Sequence, residues 1–166
     1  MIPFIIDCDG TLTDGTVSYP SMERRFHLRD GHGIQLIEKR TNITPIIMTG
    51  EWDDSIRKRC ERLGVIYYLD VHNKYDLLVS GGSPGLSRGK YIAISDDTPD
   101  LELLQNATVA FCPADAHSEV LRLVDRHENG IILTRKGGDA CVREAIDFLL
   151  TQARIKMIFK DDLQIT

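Results

Sequence analysis

The feature that most limits what this chain can fold into is an alternation running along its whole length. Short apolar runs, rich in β-branched residues, are separated by segments with helical periodicity. Ile2–Ile6, Ile43–Met48, Val65–Leu69, Tyr91–Ile94, Thr108–Phe111 and Ile131–Leu133 show no polar alternation, so each reads as a strand buried on both faces. The stretches near residues 32–40, 53–63, 74–79, 99–105, 117–125 and 139–151 read as helices. In the last of these, Val142, Ala145, Ile146, Leu149 and Leu150 recur at one-face spacing. Thr98-Pro99 offers a hydroxyl cap followed by proline at the first helical position. Such alternation predicts an α/β three-layer sandwich around a mostly parallel sheet.

Two segments break the rhythm. Residues 13–28, with Asp14-Gly15 and Tyr19-Pro20-Ser21 among β-prone residues, predict a projecting β-hairpin after the first strand. Residues 80–89 predict a loop that cuts one helix short, and the tail from Gln152 to Thr166 mixes basic and apolar residues. No linker or repeat divides the 166 residues, a length suited to one domain with a self-sufficient core. The formal charge is −5, without a long basic run, which argues against nucleic acid or an anionic membrane as main partner. Cys8, Cys60, Cys112 and Cys141 are scattered, with neither zinc-site nor disulfide spacing. Reduced thiols fit a cytoplasmic setting. No apolar stretch approaches the ~18 residues of a membrane span, and Ile2–Ile6 is too short for a signal-peptide core.

The polar residues that stand out all fall just past a strand. Asp7-Cys8-Asp9-Gly10-Thr11 follows the first, placing two carboxylates one residue apart. A turn is the simpler reading of this motif alone; a calcium loop fails, because Leu12 and Ser18 stand where glycine and glutamate would be needed. Ser95-Asp96-Asp97-Thr98-Pro99-Asp100 follows the fourth strand, Thr49-Gly50 the second, and Lys74 lies just after the third. In an open parallel sheet these carboxyl ends share one edge, where ligands bind at the topological switch point. Carboxylates gathered there repel one another, and a hard divalent cation such as Mg²⁺ relieves them. Acids, a lysine, a hydroxyl and a metal make a phosphoryl-transfer site.

In this order and over nearly the whole chain, these residues resemble the motifs of the haloacid dehalogenase superfamily of phosphatases, with their Rossmann-like sheet. Asp7-Cys8-Asp9-Gly10-Thr11 resembles the nucleophile motif, Thr49 the phosphate-binding hydroxyl, Lys74 the lysine of the third motif, and Ser95–Asp100 the acidic metal motif, with serine where glycine is usual. Only 41 residues separate Asp7 from Met48 and 24 separate Gly50 from Lys74, too few for a large cap domain. That is similar to the 3-deoxy-D-manno-octulosonate (KDO) 8-phosphate phosphatases and their nonulosonate 9-phosphate relatives. Thr13-Asp14-Gly15, Leu28-Arg29-Asp30-Gly31-His32-Gly33-Ile34, Ala114-Asp115-Ala116-His117 and Gly137-Gly138 extend the likeness. Two positions depart from it: Glu51 and Gln35 stand where the octulosonate enzymes usually carry arginine. Glutamate at the first position looks more like the branch acting on nine-carbon acids such as KDN 9-phosphate.

The resemblance implies a mechanism. Asp7 is the nucleophile and Asp9 the general acid and base, while Thr49 and Lys74 hold the phosphate. Mg²⁺ is bound by Asp7, the Asp9 carbonyl and Asp96, with Asp97 and Asp100 in support. It further implies a homotetramer whose hairpins assemble and whose neighbouring subunits help cover each site. Gly50, Glu51, His27, Arg29, Asp30, Gly31 and Arg59 are then the expected sugar contacts. Val17, Tyr19, Met22 and Phe26 would otherwise expose apolar surface on the hairpin. Two alternatives stand beside this reading: a non-catalytic assembly module of a sugar-activating system, and a phosphotransferase or mutase, which usually needs a cap to exclude water.

Overall fold

A computed structural model describes residues 1–81, 86, 89–159 and 162–165. Six strands form one all-parallel sheet: β1 (Ile2–Asp7), β2 (Ile43–Met48), β3 (Ile66–Tyr68), β4 (Ile92–Ile94), β5 (Val109–Cys112) and β6 (Gly130–Ile132). Their spatial order is β3-β2-β1-β4-β5-β6. The chain therefore winds outward one way from β1 and returns to wind the other way from β4, leaving the switch point between these two strands. Side-chain alternation along each strand feeds two cores. Phe4 and Ile6 face α1 (Leu28–Arg40), α2 (Asp54–Leu63), α6 (Cys141–Thr151) and α7 (Ala153–Phe159). Ile5 faces the opposite layer of α3 (Lys74–Ser80), α4 (Leu101–Gln105) and α5 (Ser118–Arg126). The three-layer α/β sandwich expected from the alternation is what forms, and all four cysteines are buried and free.

Differences from the sequence reading have local causes. Helix α1 begins at Leu28 rather than near residue 32, because the His27 ring accepts a hydrogen bond from the Arg29 amide (3.1 Å) and caps it. Its glycines are packing devices: a Cβ at Gly33 would press on Arg143 and Ile146 of α6 at 2.9 and 3.1 Å. The segment over 13–27 returns through one antiparallel bridge, Ser18 with Glu23, rather than through an extended ladder. Of its apolar residues, Tyr19 is exposed, whereas Phe26 folds back against the core. The loop expected over 80–89 lies mostly outside the described residues; Gly81 ends α3 in a left-handed conformation.

The tail docks at the amino edge of the sheet. Ile165 pairs with Thr41, the Asn42 amide donates to the Gln164 carbonyl (3.3 Å), and Lys90 pairs with Asp162 (2.8 Å). These positions precede β2 and β4, so the six residues of β1, about 20 Å of strand, separate the tail from the carboxyl edge. No helix among the described residues is long and apolar enough to cross a membrane. Phe159 of α7 is fully buried in the first core. Replacing it with alanine should cost about 3–5 kcal/mol of stability in a urea titration, while the folded variant keeps its catalytic rate, because the anchor is remote from the switch point.

Candidate active site

The carboxyl edge gathers the residues singled out from the sequence into one cleft of about 320 Å³, lined by Asp7, Asp9, Thr49, Gly50, Glu51, Lys74, Ser95, Asp96, Asp97 and Asp100. Val71, His72 and Pro99 complete its wall. Each element delivers its part for a local reason. Asp7 is the last residue of β1, and the chain then turns tightly over Cys8–Leu12, closed by the Thr13 amide on the Cys8 carbonyl (3.0 Å). Gly10 makes that turn with φ +85°, and any Cβ there would overlap the Asp96 carboxylate. Thr49 directly follows β2, and its hydroxyl accepts the Glu51 amide (3.1 Å), curling the backbone around the cleft. Asn73 caps α3 through the Asp76 amide (3.0 Å) and so presents Lys74 at the helix start.

Lys74 is the central cation. Its ammonium, 6% exposed, bonds Asp7 Oδ1 and lies 2.5 Å from Asp100 Oδ2. Burial works against its charge, but Asp7 and Asp100 prevail and its pKa is raised, so it stays protonated. Asp100, expected in support of the metal, is a counter-ion of Lys74. Ser95, the residue replacing the usual glycine, donates its hydroxyl to the same Asp100 oxygen at 2.6 Å. Asp97 caps the short turn Thr98–Asp100 through the Thr98 amide (2.7 Å) and borders the cleft.

The remaining carboxylates are short of positive charge. Asp7 and Asp96 face the same cleft, and each acts on the other's titration. Burial raises the Asp7 pKa, opposed by Lys74 and helped by Asp100. Burial and then the Asp7 charge push Asp96 up to about 7, against the Thr11 hydroxyl that donates to it at 3.2 Å. Among the described residues no three His, Cys, Asp or Glu side chains converge as a cage. Mg²⁺ typically takes only one or two carboxylates, its other positions going to water and phosphate oxygens. Asp7 and Asp96, with the backbone carbonyl of Asp9 in the intervening turn, are a donor set that fits such a cation.

Not every expected residue reaches the cleft. His27 is spent capping α1. Asp30, 1% exposed, accepts the Arg143 amide at 2.7 Å and caps α6 from across the helix pair, because Ala140 has no side chain to do so. Gly31 seats the Arg59 guanidinium, which lies 5.7 Å over the Phe26 ring. Arg29 faces a separate concavity with Arg135 and Arg143. Within one chain these five residues lie outside the cleft, as supports of α1, α2 and α6 or on the outer surface. The sequence reading missed Arg24, whose buried side chain reaches Asp9 Oδ1 at 2.8 Å and Asp53 Oδ2 at 3.2 Å. One arginine of the Arg24-Arg25 pair on a turn carries no spacing signal that would have revealed it.

Comparison with known proteins now has a geometry to meet. No family model matches the chain. A curated relative from Haemophilus influenzae, the 3-deoxy-D-manno-octulosonate 8-phosphate phosphatase KdsC, is 31% identical over 172 residues, covering 98% of this chain and 90% of the relative. The chain belongs to this family. Its architecture agrees with that placement. A Legionella pneumophila protein assigned to the HAD superfamily (subfamily III A) hydrolases superposes with a TM-score of 0.79 at 27% identity, over 96% of this chain and 87% of that one. The Moraxella catarrhalis 3-deoxy-D-manno-octulosonate 8-phosphate phosphatase, in complex with magnesium, phosphate and KDO, gives 0.80 at 25% identity, over 96% and 91%. The chain is a phosphoric monoester hydrolase of the haloacid dehalogenase superfamily.

The raised carboxyls give a pH dependence opposite in sign to that of a salt-bridged aspartate. Their contribution to stability is fully present below the unfolded value of 3.8 and is lost as pH rises through about 7 for Asp96. Metal-free protein should lose melting temperature across that window. Added Mg²⁺ should restore it increasingly toward neutral pH, since its ligands must be deprotonated. Thermal melts with and without chelator check this; Asp96→Asn should remove the Mg²⁺ effect and the Asp96 part of the loss, leaving the part that buried Asp30, raised to about 6, contributes at lower pH.

Proposed function

We propose that the chain is a Mg²⁺-dependent phosphatase of sugar-acid phosphates working through an aspartyl-phosphate, with a nonulosonate 9-phosphate such as KDN 9-phosphate as the favoured substrate and KDO 8-phosphate as the other member of the class. The observation that carries the choice is Glu51. It lines the cleft two residues beyond Thr49, where the octulosonate enzymes usually carry arginine. A carboxylate accepts hydrogen bonds from sugar hydroxyls, of which the nine-carbon acid has more than the eight-carbon one.

The chain's own residues divide the chemistry. Lys74 bonds Asp7 Oδ1, which fixes the nucleophile's rotamer and leaves its other oxygen for in-line attack on phosphorus. Thr49, 2% exposed, and Lys74 hold phosphate oxygens as charge develops on them. Asp9 gives a proton to the leaving sugar oxygen as the P–O bond breaks, then takes one from the water that cleaves the acyl phosphate. A divalent cation held by Asp7, Asp96 and the Asp9 carbonyl supplies charge neutralisation and orientation of the phosphate. Asp97 borders that position.

Among the described residues no large cap stands above the cleft, and Tyr19, Leu28 and Trp52 stay strongly exposed around the loop over 13–28 and just past Glu51. In a homotetramer these surfaces pair, and the neighbour brings Arg29 or Arg59 to the sugar. A cytoplasmic site of action suits such a substrate.

Phosphate release over a panel holding both sugar-acid phosphates tests the reading. Wild-type protein should prefer the nine-carbon ester. Glu51→Arg should shift the ratio toward the eight-carbon ester by about tenfold or more. Asp7→Asn should abolish release without unfolding the chain. A fully active Asp7→Asn protein would sink the mechanism, and light scattering showing a fully active monomer would sink the shared site.

A further inference from the structure

We propose that Arg24 is the positioning residue for the acid–base carboxylate, holding Asp9 by one oxygen so that the other is presented to the leaving group; this rests on the proton-transfer role proposed for Asp9. Arg24 sits on the loop over 13–27, on the return from the Ser18–Glu23 bridge, beside the exposed Arg25. Its side chain is 1% exposed, although the loop itself lies on the surface. The guanidinium Nε donates to Asp9 Oδ1 at 2.8 Å, and the Thr13 hydroxyl donates to the same oxygen at 3.0 Å. Asp9 Oδ2 has no protein hydrogen-bond donor among the described residues, while Asp9 borders the cleft. Two donors on one oxygen fix the plane of the carboxyl group, and proton transfer in the reaction depends on that orientation.

The other end of the guanidinium reaches Asp53 Oδ2 at 3.2 Å. Asp53 caps α2 through the Ser55 amide (2.8 Å), and α2 follows directly on the Thr49-Gly50-Glu51 strand end. One planar fork thereby ties the loop, the acid–base carboxylate and the helix behind the phosphate-binding hydroxyl. Lysine, a point charge, cannot span both carboxylates. The fork is not saturated: Nη1 is buried without a well-formed hydrogen bond. A fold using Arg24 only as a clasp would have no need to bury so polar a group incompletely paired. Nor would a clasp need the catalytic carboxylate as its partner.

The test separates positioning from clasping by the leaving group. General acid help matters little for an acidic phenol and greatly for an alkyl alcohol. We take kcat/KM, with Mg²⁺, over p-nitrophenyl, phenyl and simple alkyl phosphates. Arg24→Ala should lose less than about tenfold on the nitrophenyl ester and about 100-fold on the alkyl ester. Arg24→Lys, which keeps a donor for Asp9, should recover most of the alkyl activity. Equal losses across the series, or none, would overturn the proposal, since a loosened loop lowers all rates alike. If Arg24→Ala does not fold by circular dichroism, Arg24→Met, which keeps the length of the side chain but no donor for Asp9, takes its place: its loss must grow toward the alkyl ester, and a flat profile overturns the proposal. Wild-type protein that hydrolyses no ester would remove the phosphatase reading itself, whereas an active wild type with flat variants would remove only the role of Arg24.

Discussion

One buried ammonium organises the carboxyl edge of this sheet. Lys74 enters from the start of α3 and meets Asp7 from the end of β1 and Asp100 from the turn after β4, so three crossovers converge on a single charge. Removing one partner of such a buried set leaves an uncompensated charge, at a cost of about 3–5 kcal/mol. The arrangement is also deliberately short of positive charge. Six carboxylates line the cleft, those of Asp7, Asp9, Glu51, Asp96, Asp97 and Asp100, and among the described lining residues Lys74 is the only lysine or arginine. That excess of negative charge favours a bound cation, and burial together with the Asp7 charge pushes the Asp96 pKa up to about 7.

What was legible in the sequence follows from how each signal is encoded. Strand placement and layer order are written in local apolar runs, and the structure moves boundaries by only one residue at most ends. Asp7, Thr49, Lys74 and Asp96 were legible because a parallel sheet sends every strand's carboxyl end to one edge, so position after a strand is itself a coordinate. The start of α1 was not legible, because its first turn holds few apolar residues and is set by the His27 ring accepting the Arg29 amide. Arg24 and the cap from Asp30 to α6 were illegible for a different reason. Both join segments far apart in the chain through one side chain, and nothing in the local pattern sets such a residue apart from its neighbours.

The two ends of the sheet carry different duties. The amino edge is closed by the chain's own tail through backbone pairing at Thr41 and Asn42 and by the buried Phe159. The carboxyl edge holds charged groups close together in a site left open above. This separation lets the fold draw its stability from apolar contacts on the two faces and at the amino edge, while the edge that must bind a dianionic phosphate keeps its mutual repulsions.

The cleft's charge layout bears on how a sugar acid would be recognised. Lys74 is held by Asp7 and Asp100, and Arg24 by Asp9 and Asp53, so both buried cations are committed to the floor. The wall above presents Glu51 and Asp97. On the proposed substrate, the phosphate meets Lys74 and the cation, and the hydroxyls meet Glu51. The sugar's own carboxylate finds no lysine or arginine of the same described cleft beside it. Its counter-charge must therefore come from outside that cleft. Arg59, which lies over Phe26 on the flank of α2, and Arg29 at the start of α1 are displaced from their own chain's cleft. Pairing of subunits through the loop over 13–28 would make that displacement useful, since a cation that cannot fold onto its own site is free to complete another.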